Sequence, residues 1–535
     1  MKKVTVYDTT LRDGAQGEGI NFSLPAKVRI ARSLDEFGID YIEGGFAASN
    51  PKDMAFFEEM RPVKLKHAKL AAFGSTRRAK FKAEEDPGLA AILQTGAPVA
   101  TLFGKSWLLH VEKVLHTTAD ENLRMIADSV RYLKAKGLEV IYDAEHFFDG
   151  YLDNPEYAMQ TLEAAAEAGA DALVPCDTNG GRLTSEIVTI MAEVAKRFPK
   201  AVLGIHTHND AELAVANTLA AVEAGASMVQ GTMNGYGERT GNANLCSIIP
   251  GLALKLGREL SCGPHLSRLR SLSLLLDEIA DQRPPKSRPY VGESAFAHKA
   301  GMHVDAVSKV SQSFEHVDPA LVGNERRILM SELSGASNVR LKTGEMGLDF
   351  QKDAPAVKDI LKKLEHLEKS GYAFESADAS FKLLVQKVLK KHVPFFELEG
   401  FSVVVQKDDA ESKATTVATI KINVKGQTEL TAGEGDGPVD ALNDALRKVL
   451  RRFYPAIDSV VLEDYHVRIL DPETATRATT RVLIDSSDGH EHWGTVGVSE
   501  NIIEASWEAL VDSVEYKLFL DEQRRQGKSN DRLDG

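Results

Sequence analysis

Two histidines separated by one residue are the clearest candidates for chemistry in this sequence. His206 and His208 follow the short apolar run 201–203, which is typical of the start of a buried strand. Alternate residues of a strand point to the same side, so both imidazoles face one way. Neutral imidazoles are common metal ligands. A lone His-x-His pair is equally compatible with two polar strand-end residues facing solvent, so the rest of the chain has to decide.

The elements around these histidines predict a barrel. A junction of helix end, glycine, short turn and apolar strand recurs at 34–42, 165–173 and 221–229, with each glycine suited to the left-handed position after a helix. We count eight strand–helix units between Lys3 and about Leu256, and about 250 residues is the usual size of a (β/α)8 TIM barrel. An open doubly wound sheet is the alternative, but no Gly-x-Gly-x-x-Gly follows the first strand. Asp210 precedes an apolar helical pattern and is the expected N-cap.

Polar residues collect where the predicted strands end, which is the active face of such a barrel. Any one of them is commonly a cap or turn residue, but their occurrence at the same end of one architecture indicates a functional site. The residues are Asp8 to Gln16 after the first strand, Glu43 after the second, Asp143 and Glu145 after the fifth, Asp177 to Asn179 after the sixth, and Asn234 to Asn242 after the eighth.

The remaining chain changes character twice. We predict a catalytic (β/α)8 barrel over 1–260, helical linker subdomains over 261–392 and an α+β domain of two βββα units over 393–523. The last of these helices is expected from about Asn501 to Leu518. The polar end, 524–535, is predicted to be frayed.

Composition excludes several classes of protein. The 535 residues carry 64 Lys and Arg against 78 Asp and Glu, a net charge of −14, which does not suit nucleic-acid phosphates. The three cysteines form no Cys-x-x-Cys pair and are too few for a disulfide framework. We find neither a signal peptide nor an apolar run long enough to span a membrane, and therefore predict a cytoplasmic protein that engages neither membrane nor nucleic acid.

Three motifs in order carry a resemblance to a known family. Asp8 to Gly14, His206 to Asp210 and Gly237 to Asn242 resemble the acyl-CoA condensing metalloenzymes that include 2-isopropylmalate, homocitrate and citramalate synthases. The resemblance covers nearly the whole chain, because the β-rich tail looks like the regulatory domain of that family. Val322 to Arg327 and Ser331 to Gly335 look closest to the citramalate synthase branch.

The resemblance implies a metal site. Asp13, His206 and His208 would supply three ligands, with Asn242 at or beside a fourth position. A divalent metal could chelate an α-keto acid and polarise its ketone for a Claisen-type condensation. Mixed nitrogen and oxygen ligands suit Zn, Mn, Co or Mg, and the sequence does not choose among them.

The resemblance also implies roles for five further residues. Arg12 would stabilise negative charge on the keto oxygen, and a salt bridge to Glu43 is its structural alternative; both hold if Glu43 orients Arg12. Thr178 looks like the hydroxyl donor to the keto acid's carboxylate. Glu145 and His303 are alternative bases for acetyl-CoA or for the water that cleaves the thioester, and we favour Glu145 with His303 assisting. His303 lies outside the barrel and is implied to enter the partner subunit's site, which predicts a homodimer.

The activity implied is condensation of acetyl-CoA with pyruvate and hydrolysis of the thioester, giving citramalate and CoA for isoleucine biosynthesis. The alternative is the same chemistry on a larger 2-keto acid, as in 2-isopropylmalate or homocitrate synthase. The tail is expected to bind an effector, logically isoleucine, or to serve only for dimerisation. Two other classes are a metal-dependent hydrolase, which in the amidohydrolase type carries His-x-His on its first barrel strand, and a non-catalytic amino-acid sensor. Arg77 and Arg78 could meet CoA phosphates or form a solvated basic turn.

Overall fold

A computed structural model describes residues 2–331, 334–344, 346, 348, 350, 354–407, 409–470 and 478–530. The chain forms two units, the first comprising Met1–Phe296 with Glu315–Glu325 and the second Ala297–Phe314 with Arg326–Gly535. The four-part division drawn from the sequence stays a prediction. Within the described ranges, no helix combines the length and the apolar character that crossing a membrane requires.

Parallel strands β1 to β8 close into a barrel in the first unit, which confirms the TIM-type prediction and excludes the open sheet. Each strand pairs with the next, and β8 pairs back to β1 with Tyr7 beside Gln230 and Asp8 beside Gly231. The strands are β1 (Thr5–Asp8), β2 (Tyr41–Gly45), β3 (Lys69–Ser75), β4 (Val99–Lys105), β5 (Glu139–Glu145), β6 (Ala172–Asp177), β7 (Val202–Thr207) and β8 (Met228–Gly231).

Helices surround this barrel and bury one apolar face each. In α5, for example, Ile126, Val130 and Leu133 are fully buried, and Thr118 caps the first turn by accepting from Glu121 N over 3.2 Å. The helices of the first unit are α1 (Leu24–Phe37), α2 (Pro51–Met60), α3 (Pro87–Thr95), α4 (Leu108–Lys113), α5 (Ala119–Ala135), α6 (Phe147–Asp153), α7 (Pro155–Glu167), α8 (Thr184–Arg197), α9 (Ala214–Glu223), α10 (Leu245–Pro250) and α11 (Leu269–Ile279).

The recurring junction has the predicted geometry and a further function. Gly38 and Gly169 adopt φ of 96° and 95° after their helices, as the left-handed position requires. The aspartate two residues later lies just before the next strand. Asp40 Oδ2 accepts from Val6 N over 2.9 Å, and Asp171 Oδ2 accepts from a backbone amide of β5 over 2.7 Å. At two of the three junctions, an aspartate therefore ties the junction to an earlier strand at the amino-terminal end of the barrel.

The predicted N-cap at Asp210 is wrong. Helix α9 begins at Ala214, whose backbone N–H donates to Asn209 Oδ1 over 3.2 Å. Glu212 adopts φ of 60°, which is not helical and delays the start of the helix. The Asp210 carboxylate instead accepts from Arg239 Nε and Nη2 over 2.8 and 2.9 Å.

The second unit contains helices followed by two βββα halves, as predicted. Its sheets are antiparallel, in the orders β11-β12-β13 and β14-β15-β16, and their buried faces pack on α16 and α17 through residues such as Ile420, Leu446, Ile484 and Leu510. The elements are β9 (Ala297–His298), α12 (Gly301–Lys309), β10 (Arg327–Ile328), α13 (Ala336–Gly344), α14 (Pro355–Lys369), α15 (Asp378–Val388), β11 (Glu397–Gln406), β12 (Thr415–Val424), β13 (Gln427–Gly435), α16 (Pro438–Leu450), β14 (Val461–Ile469), β15 (Thr480–Ser487), β16 (His492–Ser499) and α17 (Ile502–Asn530).

Two details of this unit differ from the pattern in the sequence. The glycine-rich stretch before α16 contains the end of β13. A Cβ at Gly433 would lie 2.4 Å from Ala445 N, so only glycine permits this close approach of the strand to α16. Helix α17 ends at Asn530 rather than near Leu518, so residues 524–530 of the predicted frayed tail are helical. Residues 531–535 lie outside the described residues, as do 332 and 333 within the motif Ser331 to Gly335.

Candidate active site

Three predicted ligands meet at the carboxyl-terminal end of the barrel. Asp13 Oδ2 lies 3.6 Å from His206 Nε2 and 3.8 Å from His208 Nε2, and all three side chains are buried. One ligand atom from each residue falls within 4.8 Å of the others. Asp13 reaches this position because the chain turns sharply after β1, where Thr9 O accepts from Asp13 N over 2.9 Å. The histidines come from the end of β7, as their alternation predicts.

The protonation states at this cluster suit a cation. Burial lowers the pKa of both imidazoles below the ordinary histidine value, to about 3 for His208. Burial alone would raise the pKa of Asp13, but the Arg12 guanidinium and the two imidazoles outweigh it and bring that pKa down to about 2. At neutral pH the cluster is one carboxylate and two neutral imidazoles, which is the state that metal binding requires.

A buried amide orients one of the imidazoles. His206 Nδ1 lies 3.0 Å from Gln230 Oε1, and Gln230 Nε2 donates to Asp143 Oδ1 over 2.9 Å. Because the amide nitrogen faces the carboxyl oxygen, Oε1 faces the imidazole and accepts from Nδ1–H. His206 Nε2 is then the unprotonated atom, and it is the one directed at Asp13. Sequence reasoning missed Gln230, although a glutamine inside the apolar strand β8 was the available signal.

Asn242 lies beside the cluster, where the resemblance predicted it. It forms an isolated bridge with His208, and its Oδ1 is buried without a hydrogen-bond partner among the described residues. Gly237 makes this approach possible: its φ is 152°, and a Cβ there would lie 2.2 Å from Asn242 Nδ2. Gly241 has φ of 93°, and its Cβ would lie 2.0 Å from Gly235 O. The glycines of the third motif therefore let the loop fold back over the cluster.

This donor set fits a divalent metal ion. It combines two imidazole nitrogens, a carboxylate oxygen and an unpartnered amide oxygen, a mixture that several divalent metals accept. A cavity of about 270 Å³ adjoins the cluster and leaves room for further ligands. The arrangement does not identify the metal.

Arg12 forms the salt bridge to Glu43 that was considered for it, and its role toward the keto oxygen stays a prediction. Its Nε donates to Glu43 Oε2 over 2.6 Å, and its Nη1 donates to Asp13 Oδ2 over 3.1 Å. The guanidinium carbon lies 3.8 Å from the ring centre of Phe73. Glu43 is fully buried and also accepts from the Tyr7 hydroxyl over 2.7 Å. Glu43 therefore orients Arg12, and the oriented guanidinium lines the cavity beside Asp13.

Aromatic rings form the apolar wall of the cavity. Phe73 and Phe103 stack with ring centres 5.0 Å apart, and Phe46 contacts Phe73 edge-on at 5.7 Å. Sequence reasoning did not single out these rings. The cavity is lined by Arg12, Asp13, Gln16, Phe46, Phe73, Phe103, Asp143, Glu145, Cys176, Thr178, His206, His208, Glu238 and Arg239.

Two more predicted residues line this cavity, and one lies in the other unit. Glu145 ends β5 and forms an ion pair with Lys105, and the Thr178 hydroxyl accepts from His146 N over 2.8 Å. His303 belongs to α12 of the second unit, where its ring stacks on Phe314 at 4.0 Å. The roles given to Glu145, Thr178 and His303 stay predictions.

Arg77 does not form the solvated turn considered for it. It is buried, and its guanidinium donates to Glu121 over 2.8 Å and to Asp128 over 2.8 and 3.0 Å. These carboxylates from α5 occupy the donors that CoA phosphates would need. Arg78 is exposed and lies over the ring of Phe81 at 5.9 Å.

Comparison with known proteins finds three successive family domains along the chain. The profile of the HMGL-like family matches residues 3–275, the homocitrate synthase post-HMGL domain-like profile matches 290–371, and the LeuA allosteric (dimerisation) domain profile matches 375–518.

Relatives of full length carry the likeness further. The (R)-citramalate synthase of Aquifex aeolicus (strain VF5) is 52% identical over 522 residues, which cover 98% of this chain and 99% of the relative. The (R)-citramalate synthase of Geobacter sulfurreducens is 52% identical over 523 residues, with the same coverage. A probable 2-isopropylmalate synthase of Methanopyrus kandleri is 30% identical over 516 residues, covering 96% of this chain and 98% of the relative. The chain therefore belongs to the HMGL-like enzyme family, in the branch of the (R)-citramalate synthases.

Proposed function

We propose that this enzyme condenses acetyl-CoA with pyruvate and hydrolyses the thioester, releasing citramalate and CoA. The observation that carries the proposal is the Asp13, His206 and His208 cluster beside an Arg12 that is already oriented by Glu43. The names of the relatives at 52% identity support the same reaction. A small cavity with an aromatic wall suits a keto acid whose only substituent is a methyl group.

Side chains of the enzyme have separate roles in the proposed reaction. A divalent ion held by Asp13, His206 and His208, with Asn242 adjacent, would polarise the ketone of a chelated α-keto acid. Arg12 would donate hydrogen bonds to the keto oxygen as negative charge develops there. The Thr178 hydroxyl would donate to the keto acid's carboxylate.

A base is needed at the other substrate. Glu145 would take a proton from the thioester methyl group, and the electron pair of that C–H bond forms the new bond to the ketone carbon. Water then cleaves the thioester, with Glu145 or His303 as the group that activates it. We retain both residues in this role and favour Glu145, since it lines the cavity.

The alternative substrates are larger 2-keto acids. A 2-isopropylmalate or homocitrate synthase would accept a larger 2-keto acid, and the 30% identical relative from Methanopyrus kandleri carries the first of these names as a probable assignment. Replacing the pyruvate methyl by a longer group has to displace the packed rings of Phe46, Phe73 or Phe103.

We extend the proposal to regulation and assembly. The match of the LeuA allosteric (dimerisation) domain over 375–518 supports a homodimer, with isoleucine as the proposed effector of that domain and isoleucine biosynthesis as the pathway. Apolar side chains on both of its sheets remain exposed in the isolated chain, among them Val404 at 59%, Leu430 at 68% and Val461 at 58%. A cytoplasmic location remains a prediction.

The test is the keto-acid profile of CoA release. Purified enzyme is supplied with acetyl-CoA and either pyruvate, 2-ketoisovalerate or 2-ketoglutarate, and free thiol and the product mass are measured. We expect kcat/KM for pyruvate to exceed the others by at least about 10-fold, since a single extra methylene group in an apolar pocket already changes it by about that factor. Preference for a larger keto acid would assign the enzyme to the alternative. Repeating the pyruvate assay with isoleucine tests the effector, and unchanged rates would remove it.

A further inference from the structure

Lys105 and Glu145 occupy paired positions on neighbouring strands. They end β4 and β5, and the parallel register places them side by side, so their side chains leave the barrel at the same level. Lys105 Nζ lies 2.5 Å from Glu145 Oε2. The two side chains are 15% and 23% exposed, which makes this a largely buried ion pair.

The lysine is itself held in place by the cavity wall. Its Nζ lies 5.6 Å from the ring centre of Phe103, within the range of a cation–π contact. Phe103 stacks on Phe73, and the Arg12 guanidinium lies over the ring of Phe73. The ammonium group is therefore fixed between an aromatic ring and one oxygen of Glu145.

The other titratable groups around Glu145 do not supply a free positive charge. They are His110 from α4, Cys176 from β6, Asp143 from its own strand, and His146 and Asp149 after it. Burial lowers the pKa of His110 and raises that of the Cys176 thiol, so both are neutral near pH 7. Asp149 lies 3.3 Å from His146 Nδ1, which gives that imidazole a carboxylate partner of its own.

The arginines on the cavity wall are also engaged. Arg12 is bound by Glu43 and Asp13, and Arg239 is bound bidentately by Asp210. Of the described residues, Lys105 is thus the cation that balances the charge of Glu145. Removing it would leave a half-buried carboxylate without a counter-charge.

We propose that Lys105 is a positioning residue whose ion pair holds the Glu145 carboxylate in place at the wall of the cavity. The inference rests on the proposed function, in which Glu145 is the base. The ammonium lies against Oε2 as a counter-charge, and the carboxylate accepts the proton from the thioester methyl group. The C–H electron pair goes to the new carbon–carbon bond, and Lys105 keeps its own protons throughout. Deprotonation of the methyl group should therefore depend on Lys105 although Lys105 touches no reacting atom.

The test compares two lysine–glutamate pairs of one barrel. Lys105→Met removes the proposed positioning charge, and Lys105→Arg keeps a cation there. Lys69→Met is the matched control, because Lys69 pairs with Glu139 over 2.6 Å at the opposite end of the barrel. For each variant, kcat and KM are measured from about pH 5 to 9, together with exchange of the acetyl-CoA methyl protons with deuterated water. Thermal unfolding verifies that each variant is folded.

We expect Lys105→Met to lower kcat and methyl-proton exchange together by about 10- to 100-fold. Lys105→Arg should recover part of both losses, and Lys69→Met should match the parent enzyme.

Two outcomes would overturn the inference while leaving the proposed reaction intact. One is a parent-like kcat and exchange rate in Lys105→Met; the other is a rise in the KM for acetyl-CoA alone, which would make Lys105 a binding contact. The variant Glu145→Gln tests the proposed role of Glu145 separately. If that variant keeps full exchange, Glu145 is not the base and Lys105 has nothing to position.

Discussion

Charged residues of the same kinds lie at both ends of the barrel, but their hydrogen bonding and burial differ. At the amino-terminal end, the carboxylates of the repeated junctions are saturated by close donors. Asp171 accepts from Val140 N and from Lys134 Nζ, each over 2.7 Å, and Asp40 accepts from Val6 N over 2.9 Å. These bonds join neighbouring parts of the barrel, so this end serves stability.

At the carboxyl-terminal end, polar atoms are buried without being satisfied. His208 Nδ1, Asn242 Oδ1 and Asp177 Oδ1 have no hydrogen-bond partner within the described ranges. Burial raises the pKa of Asp143 to about 8 and that of Asp8 to about 7. A fold selected only for stability would not desolvate so many groups in one place. The difference indicates that this end is arranged to bind a charged ligand.

The largest difference between the two ends is expected in metal affinity, which a substitution at the carboxyl-terminal end should lower. Gln230→Leu removes the acceptor that fixes the His206 tautomer but leaves every proposed ligand in place. We expect affinity for a divalent metal to fall by about 10- to 100-fold, as is usual when the hydrogen-bond partner of a metal-bound histidine is lost. Competition with a chromophoric chelator on metal-depleted enzyme measures this. Unchanged affinity would show that the amide does not orient the imidazole.

A substitution at the amino-terminal end should have a smaller effect, on stability. Asp171→Ala removes the bonds to β5 and to Lys134 and should lower the free energy of unfolding by about 1–2 kcal/mol. Urea unfolding measures the loss. The same variant should bind metal as tightly as the parent, which makes it the control for Gln230→Leu. A loss of metal affinity in Asp171→Ala would mean that the two ends are not separable in this way.

The barrel and the shared direction of the two histidines were predictable because both follow local rules, whereas Asp13 was proposed from the family resemblance. Alternation along β7 places His206 and His208 on one side, and the order of the strands brings their ends together with Asp13. The left-handed glycines of the junctions are equally local. Such features need no knowledge of which side chains meet across the barrel.

Several features that depend on contacts between distant parts of the chain were not predicted. Gln230 becomes meaningful only when β8 lies between β7 and β1, and Lys105 only when the register sets it beside Glu145. Asp210 failed as an N-cap because Glu212 turns out of helical geometry and Arg239 claims the carboxylate. In each case a partner distant in sequence decides the outcome.

The central claim is that Asp13, His206 and His208 bind one divalent ion. Anomalous diffraction from crystals loaded with zinc or manganese, collected at the absorption edge of the metal, tests it most directly. We predict one peak per barrel at about 2.0–2.3 Å from an Asp13 oxygen and from Nε2 of both histidines, and no such peak in His208→Ala. A catalytically active crystal whose metal lies elsewhere, or an unchanged peak in His208→Ala, would contradict it.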